Sequence, residues 1–143
     1  DPVLRTPIDL DRRARLPYTR RVGRQILIVD DEPYILRILS FKLRREGFVV
    51  FEADSAEAAE ALIGANEIDL VLLDVALATP TNGFDLAAKL RCNARTRHLP
   101  IVMLTARGFA ADVLRGREVG ATGYITKPFT AEEVVHRVRT LLG

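Results

Sequence analysis

Three carboxylates, a hydroxyl and an ammonium sit where runs of apolar residues stop. Asp30 and Asp31 end the run Ile26-Leu27-Ile28-Val29, and Asp74 ends a second run, Leu70-Val71-Leu72-Leu73. Thr105 and Lys127 close two later β-rich runs. Short, fully apolar runs of this kind read as buried strands of a parallel sheet, and ligands of an open α/β sheet bind at the carboxyl ends of its strands. Three acids gathered there repel unless a proton or a hard divalent cation offsets their charge. A nucleophilic acid, further acids suited to Mg²⁺, a hydroxyl and a cation are what phosphoryl transfer to a carboxylate needs. Each residue taken singly also has a plainer role. Adjacent acids after a strand cap helices, and a threonine and a lysine at strand ends serve as turn residue and surface cation.

The elements that must position these groups alternate strand and helix. Strands are expected at about 26–30, 48–51, 69–74, 100–104 and 124–126. The first helix starts at Pro33, runs to about Glu46 and is stopped by Gly47, with Ile35, Ile38, Leu39 and Leu43 as its apolar stripe. Asp54 or Ser55 caps a second helix at 56–63, and a third at 83–92 offers Phe84, Leu86, Ala87 and Leu90 to the core. A less regular fourth helix covers 109–119. The last begins at Thr130, which has capping-box spacing to Glu133, and ends at Leu142. Five βα units in this order imply a doubly wound α/β fold with one parallel sheet. In the flavodoxin-like order 2-1-3-4-5, the ends of strands one, three, four and five are contiguous, so Asp30, Asp31, Asp74, Thr105 and Lys127 would share one pocket.

A chain of 143 residues with 48% hydrophobic and 28% charged residues has room for a single core. No apolar run approaches membrane-spanning length and no signal-peptide pattern opens the chain, so a cytoplasmic location without membrane insertion is expected. Cys92 is the one cysteine, which excludes an intrachain disulfide and a thiolate metal cluster and suggests a buried or idle thiol. His98 and His136 lack ligand-like partners and read as surface residues. The net charge of +2 is uneven: residues 1–24 hold seven arginines against three aspartates, +4, and the remainder carries −2. Residues 1–24 are therefore expected to be a basic, proline-containing arm, and 25–143 the folded domain. Direct contact with nucleic acid is not expected from an arginine cluster alone.

The segments Ile28-Val29-Asp30-Asp31-Glu32-Pro33, Val71-Leu72-Leu73-Asp74, Met103-Leu104-Thr105-Ala106 and Tyr124-Ile125-Thr126-Lys127-Pro128-Phe129 resemble, in order and spacing, those of response-regulator receiver domains of two-component signalling, the chemotaxis receiver among them. The resemblance covers about residues 25–142. It implies that Asp74 accepts a phosphoryl group from the phosphohistidine of a sensor kinase or histidine phosphotransfer protein. It further implies that Asp31, Asp74 and the backbone carbonyl of Ala76 ligate Mg²⁺, with Asp30 acting through a water, and that Lys127 pairs with Asp74 beside a cis bond to Pro128. Thr105 and Tyr124 would be the switch: the hydroxyl moves to the phosphoryl group and the ring turns into the space it leaves, shifting a pre-existing equilibrium towards a form that regulates an unknown downstream protein.

Departures from the family pattern narrow these expectations. The loop at 75–83 is one residue longer than usual with its proline displaced. Ala76 stands where many members carry an acidic or amide side chain that orients water, which implies slow self-dephosphorylation, with Arg107 as a modifier. Thr122-Gly123 replaces an acidic pair that accompanies dimerisation through the fourth and fifth helices, which removes support for that mode. Tyr34 and Phe41, one heptad apart and off the apolar stripe, are ordinary exposed residues, a docking face for the helical phosphodonor, or a seat for the basic arm. Two rivals remain: a phosphorylation-independent interaction module on the same fold, and an aspartyl phosphatase, which usually places a second acid where Ala76 stands. A nucleotide or flavin enzyme is disfavoured because no glycine-rich loop follows the first strand.

Overall fold

The computed structural model describes residues 23–77, 81–105 and 110–143. The basic arm, Pro80 of the long loop, Arg107 and the expected helix start at Phe109 lie outside the described residues, apart from Gly23 and Arg24.

Five strands, β1 (Gln25–Val29), β2 (Val49–Ala53), β3 (Leu70–Asp74), β4 (Ile101–Thr105) and β5 (Gly123–Thr126), alternate with α1 (Pro33–Arg45), α2 (Ala56–Ala65), α3 (Gly83–Arg91), α4 (Ala110–Val119) and α5 (Ala131–Leu142). All strand pairs are parallel, in the order β2-β1-β3-β4-β5. The doubly wound, flavodoxin-like fold expected from the alternation is the one observed. β2 extends further along the chain than its apolar run suggested, because Glu52 and Ala53 still pair with Ile28 and Val29.

Side-chain alternation along the strands divides the core. Leu27, Val29, Val71, Leu73, Ile101 and Met103 face α2 and α3, where Ala56, Ala59, Ile63, Leu86, Ala87 and Leu90 meet them. Ile26, Ile28, Leu70, Leu72, Val102 and Leu104 face the other way, onto Leu39 and Leu43 of α1 and Val134, Val135 and Val138 of α5. β3 and β4 are buried at every residue, as central strands covered on both faces must be.

Local chemistry sets the helix limits. Pro33 opens α1. Past its C-terminus, Gly47 at φ +98° supplies a left-handed residue that side chains disfavour. Ser55, rather than Asp54, caps α2 by accepting from Ala58 N–H at 3.1 Å. The capping box on α5 is complete: Glu133 N–H donates to Thr130 Oγ1 at 3.1 Å and Thr130 N–H to Glu133 Oε1 at 2.7 Å. Phe84 is only half-buried, and Cys92 is exposed rather than buried, since it lies just beyond the last turn of α3.

Gly83 at the start of α3 is buried against the end of β3. A Cβ there would overlap the Asp74 carbonyl oxygen and lie 2.8 Å from Val75 Cα. Gly64 of α2 has no heavy atom near its missing Cβ. The two glycines therefore separate packing from propensity. Gly83→Ala is expected to cost about 1–3 kcal/mol because backbone must move. Gly64→Ala, near a helix end, should gain up to about 1 kcal/mol. Urea unfolding followed by circular dichroism checks both signs.

Candidate functional site

The strand ladders run one residue past the ends of β1, β3 and β5, which fixes the polar residues found there. Asp30 N–H donates to Ala53 O at 3.0 Å, Val75 N–H to Leu104 O at 3.1 Å, and Lys127 N–H to Thr105 O at 2.6 Å. Asp30 is wholly buried, Asp74 is 4% exposed and Thr105 1% exposed, while Asp31 is half-buried. One carboxylate oxygen from each of Asp30, Asp31 and Asp74 lies within 4.8 Å of the others. The structure thus brings the three acids together as their strand ends implied.

Lys127 reaches into this cluster from β5. Its Nζ lies 3.1 Å from Asp30 Oδ2, 3.7 Å from Asp74 Oδ2 and 3.8 Å from Glu32 Oε1. The expected pairing with Asp74 is present, but the hydrogen bond goes to Asp30. Asp30 and Asp74 are otherwise held alike: each is buried and each has its other oxygen bonded by a backbone N–H, that of Glu32 at 2.9 Å and that of Ala76 at 3.1 Å. The bond from Lys127 to Pro128 is cis, as the resemblance implied. Glu32 is the site residue that sequence reasoning left without a role, although it stands inside the quoted motif.

Electrostatics follow from this crowding. Asp74 is pushed up from 3.8 to about 6, chiefly by burial. The Ala76 N–H bond at 3.1 Å and Lys127 pull it down, and the neighbouring charges of Asp30 and Asp31 raise it further. Two unit charges closer than 4.8 Å repel by about 3 kcal/mol or more at an effective dielectric of about 20. Burial alone would lower the Lys127 ammonium, but Asp74, Asp30 and Glu32 outweigh it and raise the group.

Thr105 Oγ1 is buried and has no hydrogen-bond partner among the described residues. Such a hydroxyl costs about 1–3 kcal/mol. Tyr124 of β5 pairs with Met103, and Thr126 pairs with Thr105. The alternation that puts Ile101 and Met103 on the α2–α3 face puts Thr105 there too, and Tyr124 packs against the same core. Ala76 is exposed and follows Asp74 by one tight turn. Tyr34 and Phe41 are both exposed, at 64% and 62%.

The donor set suits Mg²⁺. Three carboxylates at one mouth, one of them held near pH 6 largely by burial and by the other two, offer hard oxygen ligands to a cation that keeps several waters. Among the described residues no helix is long and apolar enough to cross a membrane.

Comparison with known proteins agrees with this geometry. The family model described as the response regulator receiver domain matches residues 26–139. The chain is 42% identical over 121 residues to the phosphate regulon transcriptional regulatory protein PhoB of Pseudomonas aeruginosa, covering 85% of this chain and 52% of that one. It is 40% identical over 118 residues to the DNA-binding dual master transcriptional regulator RpaA of Synechocystis, covering 82% and 48%. The chain therefore spans about half the length of these curated relatives. Among solved structures, the chemotaxis protein CheY4 of Vibrio cholerae superposes with a TM-score of 0.78 at 28% identity, covering 82% of this chain and 98% of its own. The chain belongs to the response-regulator receiver-domain family, and its role is that of a two-component receiver.

Proposed function

We propose that this receiver is switched by phosphorylation of Asp74. The observation that carries the reading is the meeting of Asp30, Asp31 and Asp74 beneath the Lys127 ammonium. In the transfer, an Asp74 carboxylate oxygen attacks the phosphorus of a phosphohistidine on a sensor histidine kinase or histidine phosphotransfer protein. The new O–P bond forms as the P–N bond breaks, and the departing imidazole nitrogen keeps the electron pair and takes a proton from water. A group held at about 6 is mostly ionised at neutral pH, and it is more basic than an ordinary aspartate.

The remaining residues divide the charge. Lys127 moves from Asp30 towards the phosphoryl oxygens and offsets the charge that develops on them. Thr105 gives its unpartnered hydroxyl to one of those oxygens, and Tyr124, on the same face of the sheet, turns into the space that Thr105 leaves. Asp31, Asp74 and the Ala76 carbonyl would hold Mg²⁺, with Asp30 bound through a water. The ion would supply charge neutralisation that three mutually repelling acids cannot. Tyr34 and Phe41 give the histidine-bearing partner an exposed aromatic edge on α1. The phosphorylated form regulates a downstream partner.

Acetyl phosphate with Mg²⁺ should add one phosphoryl group to the intact chain, seen by mass spectrometry, and Asp74→Ala should abolish the addition. An unmodified wild-type chain would instead favour a phosphorylation-independent interaction module. Ala76 carries no group to orient water, so Ala76→Asn is expected to shorten the phosphoryl lifetime by about tenfold, less than the roughly 100-fold or more of a positioned acid or base, because an amide orients the water without taking its proton. A lifetime unchanged or longer in that variant would remove the role given to Ala76.

The raised Asp74 also fixes a pH dependence. Its folded value lies above its unfolded one, so the ionised form costs the metal-free protein stability above about pH 6. As the pH falls from about 6 towards 3.8, the native state binds the proton first and that cost disappears. Asp74→Asn should therefore stabilise the metal-free chain by about 3 kcal/mol at pH 7.5, from a shift of about two units. Near pH 4 the difference should nearly vanish. Urea unfolding with chelator at the two pH values measures it.

A further inference from the structure

The part of α4 whose side chains are described buries little apolar surface. Of its described side chains at 114–119, Leu114, Arg115, Arg117 and Glu118 are exposed and Val119 is half-buried; the single buried residue is Gly116. Helices in proteins are held mainly by the apolar face they bury, and a glycine has no side chain to bury. What fills the place is the ring of Tyr124. A Cβ on Gly116 would lie 2.5 Å from Tyr124 Cε1, 3.0 Å from its hydroxyl oxygen and 3.2 Å from Cζ. Real Cβ atoms do not approach that closely, so the ring sits in a notch that exists only because residue 116 is glycine.

The C-terminal end of the helix is held separately. Arg91 of α3 donates to Gly120 O at 2.8 Å, Leu99 O at 2.6 Å, Arg97 O at 3.2 Å and Thr122 Oγ1 at 3.3 Å. Gly120 has φ +87°, and a Cβ there would stand 3.2 Å from Arg91 Cγ and Nε. The arginine thus ties the turn after α4 to α3 and to the loop before β4.

We infer that Tyr124 is a latch on α4: its ring, seated in the Gly116 notch, holds the middle of the helix to the sheet, while Arg91 clamps the end through Gly120. Gly116 is then a positioning residue for the switch tyrosine. If Tyr124 turns when Asp74 is phosphorylated, a step that rests on the function proposed above, the latch opens, and among the described residues α4 keeps the Arg91 clamp at its end and the contact of Arg115 with the Phe84 ring of α3 at 5.6 Å.

Amide hydrogen exchange on the full chain, free of metal and phosphodonor, tests the latch. With Tyr124 in place, Gly116→Ala should speed exchange of the α4 amides before Gly120 by about tenfold or more, because the added methyl must expel the ring. In a Tyr124→Ala background the same substitution should slow that exchange by about fivefold, since only the better helix propensity of alanine remains. A Tyr124→Phe background keeps the ring and should behave as wild type. The Thr122 amide, which donates to Ile101 O at 2.7 Å and not to α4, should not change. The latch is refuted if Gly116→Ala acts with the same sign with and without the ring, or leaves α4 exchange unaltered when the ring is present. No phosphoryl group enters the experiment, so a chain that proved unable to accept one at Asp74 would leave the outcome untouched.

Discussion

The crowding of like charge at the carboxyl edge of the sheet is the constraint on which the site depends. Parallel strands in the order β2-β1-β3-β4-β5 bring the ends of β1 and β3 side by side, and each ends in acid. Burial makes the repulsion worse by removing water that would screen it. Within the described structure the relief comes from Lys127, which lies 97 residues from Asp30 in sequence and beyond two intervening strands in the sheet. A cation so placed is shared among acids rather than paired with one. The distances of 3.1, 3.7 and 3.8 Å to Asp30, Asp74 and Glu32 are the geometry of sharing.

Sharing has a consequence for Asp74. Were the ammonium bonded to Asp74 alone, the carboxylate would be pulled down, as in an ordinary buried ion pair. Because the hydrogen bond goes to Asp30, burial dominates at Asp74 and the group rises to about 6. Any cation or transferred group that engages Asp30 or Asp74 must redistribute Lys127. The backbone of Asp74 has no comparable latitude: Gly83 packs on its carbonyl, and Val75 N–H continues the ladder to Leu104. Charge can rearrange at this site while the strand end stays fixed.

Much of this was legible in sequence because it rests on local periodicity. Apolar runs of the length of a strand, a proline after two acids, Gly47 and the Thr130–Glu133 spacing each have a direct structural meaning, and together they gave the doubly wound order and the pocket. What could not be read was any quantity set by distance between remote segments. The preference of Lys127 for Asp30 over Asp74, the part played by Glu32 and the exposure of Cys92 depend on tenths of a turn or of an ångström at element ends. Gly83 and Gly116 were equally silent. A glycine required by close approach looks, in sequence, like one that fills open space such as Gly64.

The two faces of the sheet are unequally packed. On one face α1 and α5 each bury a row of large aliphatic side chains, and their last turns are cross-tied by Arg139 and Glu46 at 2.5 Å. On the other face α2 and α3 are rooted by alanines and leucines, whereas among the described side chains of α4 only Gly116 is buried. Elements that move must come from the weakly buried end of a fold, because displacing a row of packed aliphatic residues costs several kcal/mol. Thr105 and Tyr124 lie on the α4 side of the sheet by strand parity alone: Ile101, Met103 and Thr105 alternate to that face, and Tyr124 pairs with Met103. A one-residue slip in β4 would turn the hydroxyl towards α5, against a helix whose buried valines leave little freedom to respond. Register, more than the identity of any one side chain, puts Thr105 at the acidic pocket and on the same face of the sheet as Tyr124 and α4.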